Sequence, residues 1–184
     1  MALTYSTMLP LSTLAPDFNL LDTMTGQFCT LDLLKGNKGT VIMFICNHCP
    51  FVKHVQQTLV KIANDYQSSG IAFIAISAND SEQYPEDSPQ KMKEIGQNLH
   101  YPFPYLYDET QEVAKAYQAA CTPDFFVFNA LLRCVYRGQL DDSRPNNDIK
   151  VTGKDLRLAL EKLLAGQEID PNQKPSVGCN IKWR

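Results

Sequence analysis

Two apolar runs constrain this chain more than any other feature. Residues 40–45 read TVIMFI and residues 71–77 read IAFIAIS. Each is short, continuous and rich in β-branched residues, the pattern of a strand covered on both faces. Between them, Val52, Val55, Leu59, Ile62, Ala63 and Tyr66 recur at helical spacing on one face, and Gly70 follows as a stop. Strand, helix and strand in that order predict a right-handed crossover and a parallel pair, hence an α/β architecture.

The flanking segments extend the scheme. Residues 18–21 and 27–30 read as a hairpin across the turn-rich stretch 22–26, and residues 31–34 as a helical turn ending at Gly36. Residues 79–89 form a polar loop with two prolines and four acids. Ser88 and Pro89 are an N-cap and a first helical residue, and Met92, Ile95 and Leu99 line the inner face of that helix. Tyr101-Pro102-Phe103-Pro104 breaks it. Asp108 and Gln111 have capping-box spacing, which predicts a helix through Val113, Ala114 and Tyr117. Residues 125–129 and 132–136 read as a second hairpin, turning near Asn129 and Ala130. A last helix presents Leu156, Leu160 and Leu163. The tail from residue 166 has no strong periodicity. The expected fold is a mixed central sheet with helices on both faces. It is expected to form a single domain over residues 1–184, with an N-terminal hairpin extension (1–36) and a C-terminal tail (167–184).

Composition narrows the function. The chain has 184 residues, 44% of them hydrophobic and 20% charged, which fits one well-buried core and argues against disorder. A formal net charge of −3 and the lack of a basic stripe predict no nucleic-acid partner. No apolar run reaches the ~20 residues that span a bilayer, so no membrane partner is expected. The N-terminus lacks a basic start and a sustained apolar stretch, so a cytoplasmic location is expected. In a reducing compartment the six cysteines, at positions 29, 46, 49, 121, 134 and 179, read as reactive, metal-binding or buried thiols rather than as a disulfide framework.

The chemistry concentrates where the first buried strand meets the helix, at Phe44-Ile45-Cys46-Asn47-His48-Cys49-Pro50-Phe51-Val52-Lys53. Pro50 suits the first helical position, which makes Cys49 the N-cap. The leading N–H groups of a helix have no internal partner and favour negative charge, so a thiolate at Cys49 is stabilised. Cys46 lies in the turn within possible reach of Cys49, and His48 can add positive charge. Two buried structural thiols are one alternative; a zinc site using Cys46, Cys49 and His48 or Cys179 is a second, but one Cys-x-x-Cys without a second spaced pair supports it weakly. No metal and no cofactor are expected. Cys29 and Cys134 fall in predicted strands and read as packing residues. Arg144 reads either as an anion contact or, preferably, as a solvated loop charge.

Three motifs carry a family resemblance: residues 46–53 (CNHCPFVK), residues 121–126 (CTPDFF) and residues 175–183 (PSVGCNIKW). With Ala15-Pro16-Asp17-Phe18 and the late hairpin around Asn129, they make the chain similar to the thioredoxin-like superfamily. More narrowly, it resembles the peroxiredoxin-like branch of the alkyl hydroperoxide reductase/thiol-specific antioxidant (AhpC/TSA) family. The resemblance covers nearly the whole chain and implies a thioredoxin-like fold with Cys49 as the attacking sulfur. The second thioredoxin cysteine would fall at Val52, so that position is empty. Peroxiredoxins carry Pro-x-x-x-Thr-x-x-Cys; here Ile42 stands for the Pro and Cys46 for the Thr. Pro123 stands where their peroxide-binding arginine would be, which implies that hydrogen peroxide is a poor substrate. The resemblance also implies a cis peptide at Thr122–Pro123 facing Cys49. Backbone groups exposed there can pair with an extended substrate.

The expected function is therefore thiol–disulfide exchange with Cys49 and Cys46 as catalytic residues and Thr122, Pro123 and His48 at the substrate. Cys121 and Cys179 are possible third thiols: Cys121 is equally readable as a core residue, and the tail carrying Cys179 reads either as folding back over the site or as a docking tail anchored by Ile181 and Trp183. The expected partners are a disulfide-containing protein or small thiol substrate and a cellular thiol reductant. A thiol peroxidase and a non-enzymatic redox sensor are the alternatives. Oligomeric state is left open.

Overall fold

The structure, a computed structural model, describes residues 3–184. Met1 and Ala2, part of the segment read for a targeting signal, lie outside the described residues. A seven-stranded sheet runs in the order β3 (Phe28–Thr30), β2 (Asn19–Asp22), β6 (Tyr105–Tyr107), β5 (Ile71–Ser77), β4 (Gly39–Phe44), β8 (Asp124–Asn129), β9 (Cys134–Gly138). The pairs β4–β5 and β5–β6 are parallel; the remaining pairs are antiparallel. The sheet is thus mixed, with its parallel part central.

Side chains alternate across a strand, and the core divides accordingly. Val41, Met43 and Ile45 face a cluster built with α2 (Pro50–Tyr66), Met92 of α3 (Pro89–Asn98) and Leu156, Ala159 and Leu160 of α5 (Lys154–Leu164). Ile42 and Phe44 face the other cluster, with Leu31 of α1 (Leu31–Leu34), Ala114 of α4 (Glu112–Ala116) and Leu9, Ala15 and Phe18 of the N-terminal segment. The six apolar positions of α2 expected on one face are its buried residues. At roughly 1.5–3 kcal/mol for each large side chain fully buried, they hold the helix that carries the site. No helix among the described residues is long and apolar enough to cross a membrane.

Several boundaries differ from expectation. Helix α2 stops at Tyr66, and a 3₁₀ turn, Gln67–Ser69, leads to Gly70 with φ 85°. The Asp108 helix begins later: Gln111, in a left-handed conformation, is the N-cap, and the Asp108 carboxylate accepts from Ala114 N at 2.8 Å. Strand β9 starts two residues after its expected position. Asn129 Oδ1 accepts from Leu131 N and Arg133 N, both at 3.0 Å, and this holds those residues in the turn. The inner face of α3 is Met92 and Gly96, with Ile95 and Leu99 half-buried.

The tail is the larger difference. Part of it is β10 (Val177–Asn180), the middle strand of a second, three-stranded sheet between β1 (Leu3–Tyr5) and β7 (Cys121–Thr122). Both pairings are antiparallel, and Cys179 stands opposite Thr122. This small sheet brings the C-terminal segment to the head of α2.

Candidate active site

Strand β4 delivers the turn 46–49 to the start of α2, with Pro50 at the first helical position and Cys49 as N-cap. Lys53 N donates to Cys49 O at 3.0 Å, closing the first helical turn. A buried aspartate shapes what precedes it. Asp87 Oδ1 accepts from Asn47 N at 2.7 Å and His48 N at 3.3 Å, while Oδ2 lies 2.5 Å from His48 Nδ1 and accepts from Asn79 Nδ2 at 2.7 Å. Asn47 is held in turn: its amide donates to Glu86 O at 2.7 Å and its Oδ1 accepts from Tyr105 OH at 3.1 Å. The His48 ring stacks on Tyr84, with centroids 5.2 Å apart. The cysteine turn is therefore clamped onto the acidic loop after β5.

The six cysteines are present as thiols, all buried. Cys49 Sγ lies 2.9 Å from Cys179 Sγ and 3.2 Å from Thr122 O. Cys46 Sγ lies 3.4 Å from Thr122 Oγ1. Hydrogen bonding from the Cys46 thiol is the largest influence on Cys49. With help from Cys179, Thr122 and the Val52 N–H it overcomes burial, and the Cys49 thiol is pulled down to about 5. Cys46 moves the opposite way, because its proton is held toward Cys49 and the group is buried. Burial and then the Cys49 contact push Cys179 up to about 12. Hydrogen bonding to Asp87 raises His48, favouring its charged form.

The structure thus brings Cys49, Cys46, Cys179 and Thr122 together, with the cis Thr122–Pro123 bond beside them. His48 adjoins the site, but its ring is engaged by Asp87 and Tyr84. Cys121 is buried in β7 with Sγ 3.8 Å from Pro123 O, and burial pushes its thiol far up. Cys29 and Cys134 pack in the cluster on the opposite face of the sheet from Cys49. Arg144 is not a solvated charge: its guanidinium donates to Asp141 O at 2.6 Å, Ser143 O at 2.7 Å and Gln139 Oε1 at 2.5 Å. It lines a cleft with Phe51, His54 and Pro123.

Among possible metal donors, Cys46, His48 and Asp87 place ligand atoms within 4.8 Å of one another. That set differs from the one expected: Asp87 is in it and Cys49 is not. The 2.5 Å between His48 Nδ1 and Asp87 Oδ2 is a hydrogen-bond distance. Two ligand atoms on one tetrahedral zinc would stand about 3.3 Å apart. As arranged, the pair binds itself. Asp87, Asn47 and Asn79 were the residues that sequence reasoning missed. Asp87 lies in a loop with three other acids, and nothing in their spacing singles it out.

A family model described as the AhpC/TSA family matches residues 11–136. The chain belongs to the AhpC/TSA family. Among solved structures, an uncharacterized conserved protein from Geobacillus kaustophilus is 60% identical, with TM-score 0.98 over 100% of this chain and 97% of that one. A hypothetical protein from Sinorhizobium meliloti 1021 is 45% identical, with TM-score 0.96 over 98% of each chain. The thioredoxin domain of a thiol-disulfide oxidoreductase from Bacteroides vulgatus is 18% identical, with TM-score 0.65 over 85% of this chain and 99% of that one. That likeness shows the fold of this AhpC/TSA chain to be thioredoxin-like. None of the curated proteins compared matches it.

Proposed function

We propose that the chain is a thiol–disulfide oxidoreductase whose attacking group is the Cys49 thiolate. One observation carries the reading: an acidified sulfur at a helix N-cap, in contact with a second sulfur 2.9 Å away. The thiolate is the nucleophile in thiol–disulfide exchange, and a nearby second thiol can release the mixed disulfide that forms. The substrate is a disulfide-bearing protein or small molecule, and a cellular thiol reductant restores the protein. The site favours this over peroxide reduction. Cys46 and Pro123 stand where the family resemblance puts the peroxide-orienting threonine and arginine, and the nearby Arg144 is held by its own loop. Loss of one preorganised donor costs about 10²–10³ in rate in other enzymes.

The test compares second-order rate constants of the reduced protein with a small disulfide and with hydrogen peroxide, using Cys49→Ser as the blank. Exchange with the disulfide is expected to be the faster reaction and to vanish in the variant. A peroxide rate constant near 10⁷ M⁻¹s⁻¹, about the upper range for enzymes, would replace this reading with a peroxidase.

A further inference from the structure

The carbonyl oxygen of Thr122 is 3.2 Å from Cys49 Sγ, so an extended segment that paired with β7 at Thr122 would be carried to the attacking sulfur. That edge is occupied. Strand β10 pairs antiparallel with β7 there, with Cys179 opposite Thr122 and Asn180 opposite Cys121. Gly178 brings the strand in closely, since a Cβ on it would stand 2.0 Å from Thr122 O. The other edge of β10 is paired with β1. The chain's own C-terminal strand thus lies where an incoming substrate strand would lie, and presents Cys179 Sγ 2.9 Å from the attacking sulfur.

We propose that β10 is a tethered substitute for a substrate strand and that Cys179, not Cys46, is the resolving thiol of Cys49. The proposal rests on Cys49 being the nucleophile. In the first step the Cys49 thiolate attacks one sulfur of a disulfide, that S–S bond breaks, and one thiolate leaves with the electron pair. In the second, Cys179 gives up its proton to solvent and attacks Cys49 Sγ. The mixed disulfide breaks and the second thiolate leaves. Two protein thiols are oxidised to a Cys49–Cys179 disulfide while the substrate disulfide is reduced to two thiols. A cellular dithiol or monothiol reductant returns the protein to its starting state.

Burial does most to keep the Cys179 proton in place, and contact with the charged Cys49 adds to it. A mixed disulfide at Cys49 removes the second influence, leaving the Lys182 ammonium to oppose burial. Cys46 keeps the complementary task of acidifying Cys49.

The test uses the aromatic disulfide 5,5′-dithiobis(2-nitrobenzoate) on the reduced, folded protein, read by released chromophore and by peptide mapping without reductant. At completion two chromophores per chain are expected in the wild type and, released more slowly because Cys49 is less acidic, in Cys46→Ser, with a Cys49–Cys179 cross-link and no retained adduct. In Cys179→Ser, one chromophore is expected and the adduct stays on Cys49. A Cys46–Cys49 cross-link, or an adduct trapped by Cys46→Ser but not by Cys179→Ser, overturns the proposal and leaves Cys49 as nucleophile. Undiminished release from Cys49→Ser overturns both the proposal and the function it rests on.

Discussion

Cys49 shows how its neighbours set the acidity of a single side chain. Its sulfur is buried, and burial alone would keep it protonated. Hydrogen bonding from Cys46 outweighs that, with Cys179, Thr122 and the helix N-terminus adding to it. A folded-state value of about 5 against an ordinary 9.0 means the thiolate favours the folded chain. That contribution is present in full above about pH 9 and is lost as pH falls through about 5. Alkylation of Cys49 by iodoacetamide, followed by peptide mapping, is expected to rise through a midpoint near pH 5 and to be flat at neutral pH. Cys46→Ala removes the largest cause and is expected to move the midpoint up by about one unit or more. An unchanged midpoint would assign the acidity to Cys179, Thr122 and the helix terminus instead. The position of this sulfur was legible in the sequence, because Cys-Pro after a buried strand fixes an N-cap. Its main acidifying partner was not. Spacing places Cys46 in the turn but does not say where its proton points.

Among the elements, β10 has little sequence signal and yet brings a sulfur to within 2.9 Å of Cys49. Helix α2 and strands β4 and β5 were legible because six or more residues repeat one burial pattern. Strand β10 has four residues, one a glycine, in a tail with two prolines, and its partners are 55 or more positions away. Strand β6, three residues after the prolines of 101–104, went unassigned for the same reason of length. The motif in the tail pointed to Cys179, but only tertiary structure sets it against Cys49. Gly178→Ala tests the hold of this strand. With backbone at 2.0 Å from the new Cβ, β10 has to withdraw from β7. Faster amide exchange over residues 177–180 and faster alkylation of Cys49 at pH 7 are expected. If neither changes, the small sheet absorbs the methyl group and does not gate the sulfur.

At the scale of the molecule, a second buried acid sets an opposing pH dependence. Asp124 opens β8 directly after Pro123 and is fully buried, and burial pushes its carboxyl up to about 8. A raised carboxyl makes the folded state hold its proton more tightly than the unfolded chain does. Stability from this group therefore declines as pH rises from about 4 to about 8. Cys49 slopes the other way over an overlapping range, so the comparison belongs in a Cys49→Ser background. There, Asp124→Asn is expected to gain about 3–4 kcal/mol in urea unfolding at pH 8 relative to pH 5. Equal effects at both pH values would mean that Asp124 is not a proton reservoir of the fold.

The two sulfurs that meet at 2.9 Å are 130 positions apart in sequence. A bond between Cys46 and Cys49 would close a loop too small to matter to the rest of the chain. A bond between Cys49 and Cys179 would turn most of the polypeptide into a covalent ring. Restricting the unfolded chain in that way is worth about 5 kcal/mol in the loop-entropy picture. It also changes what the cell's unfolding machines would meet. A protease that threads its substrate through a narrow pore as a single strand would have to draw in two strands at once on reaching that ring.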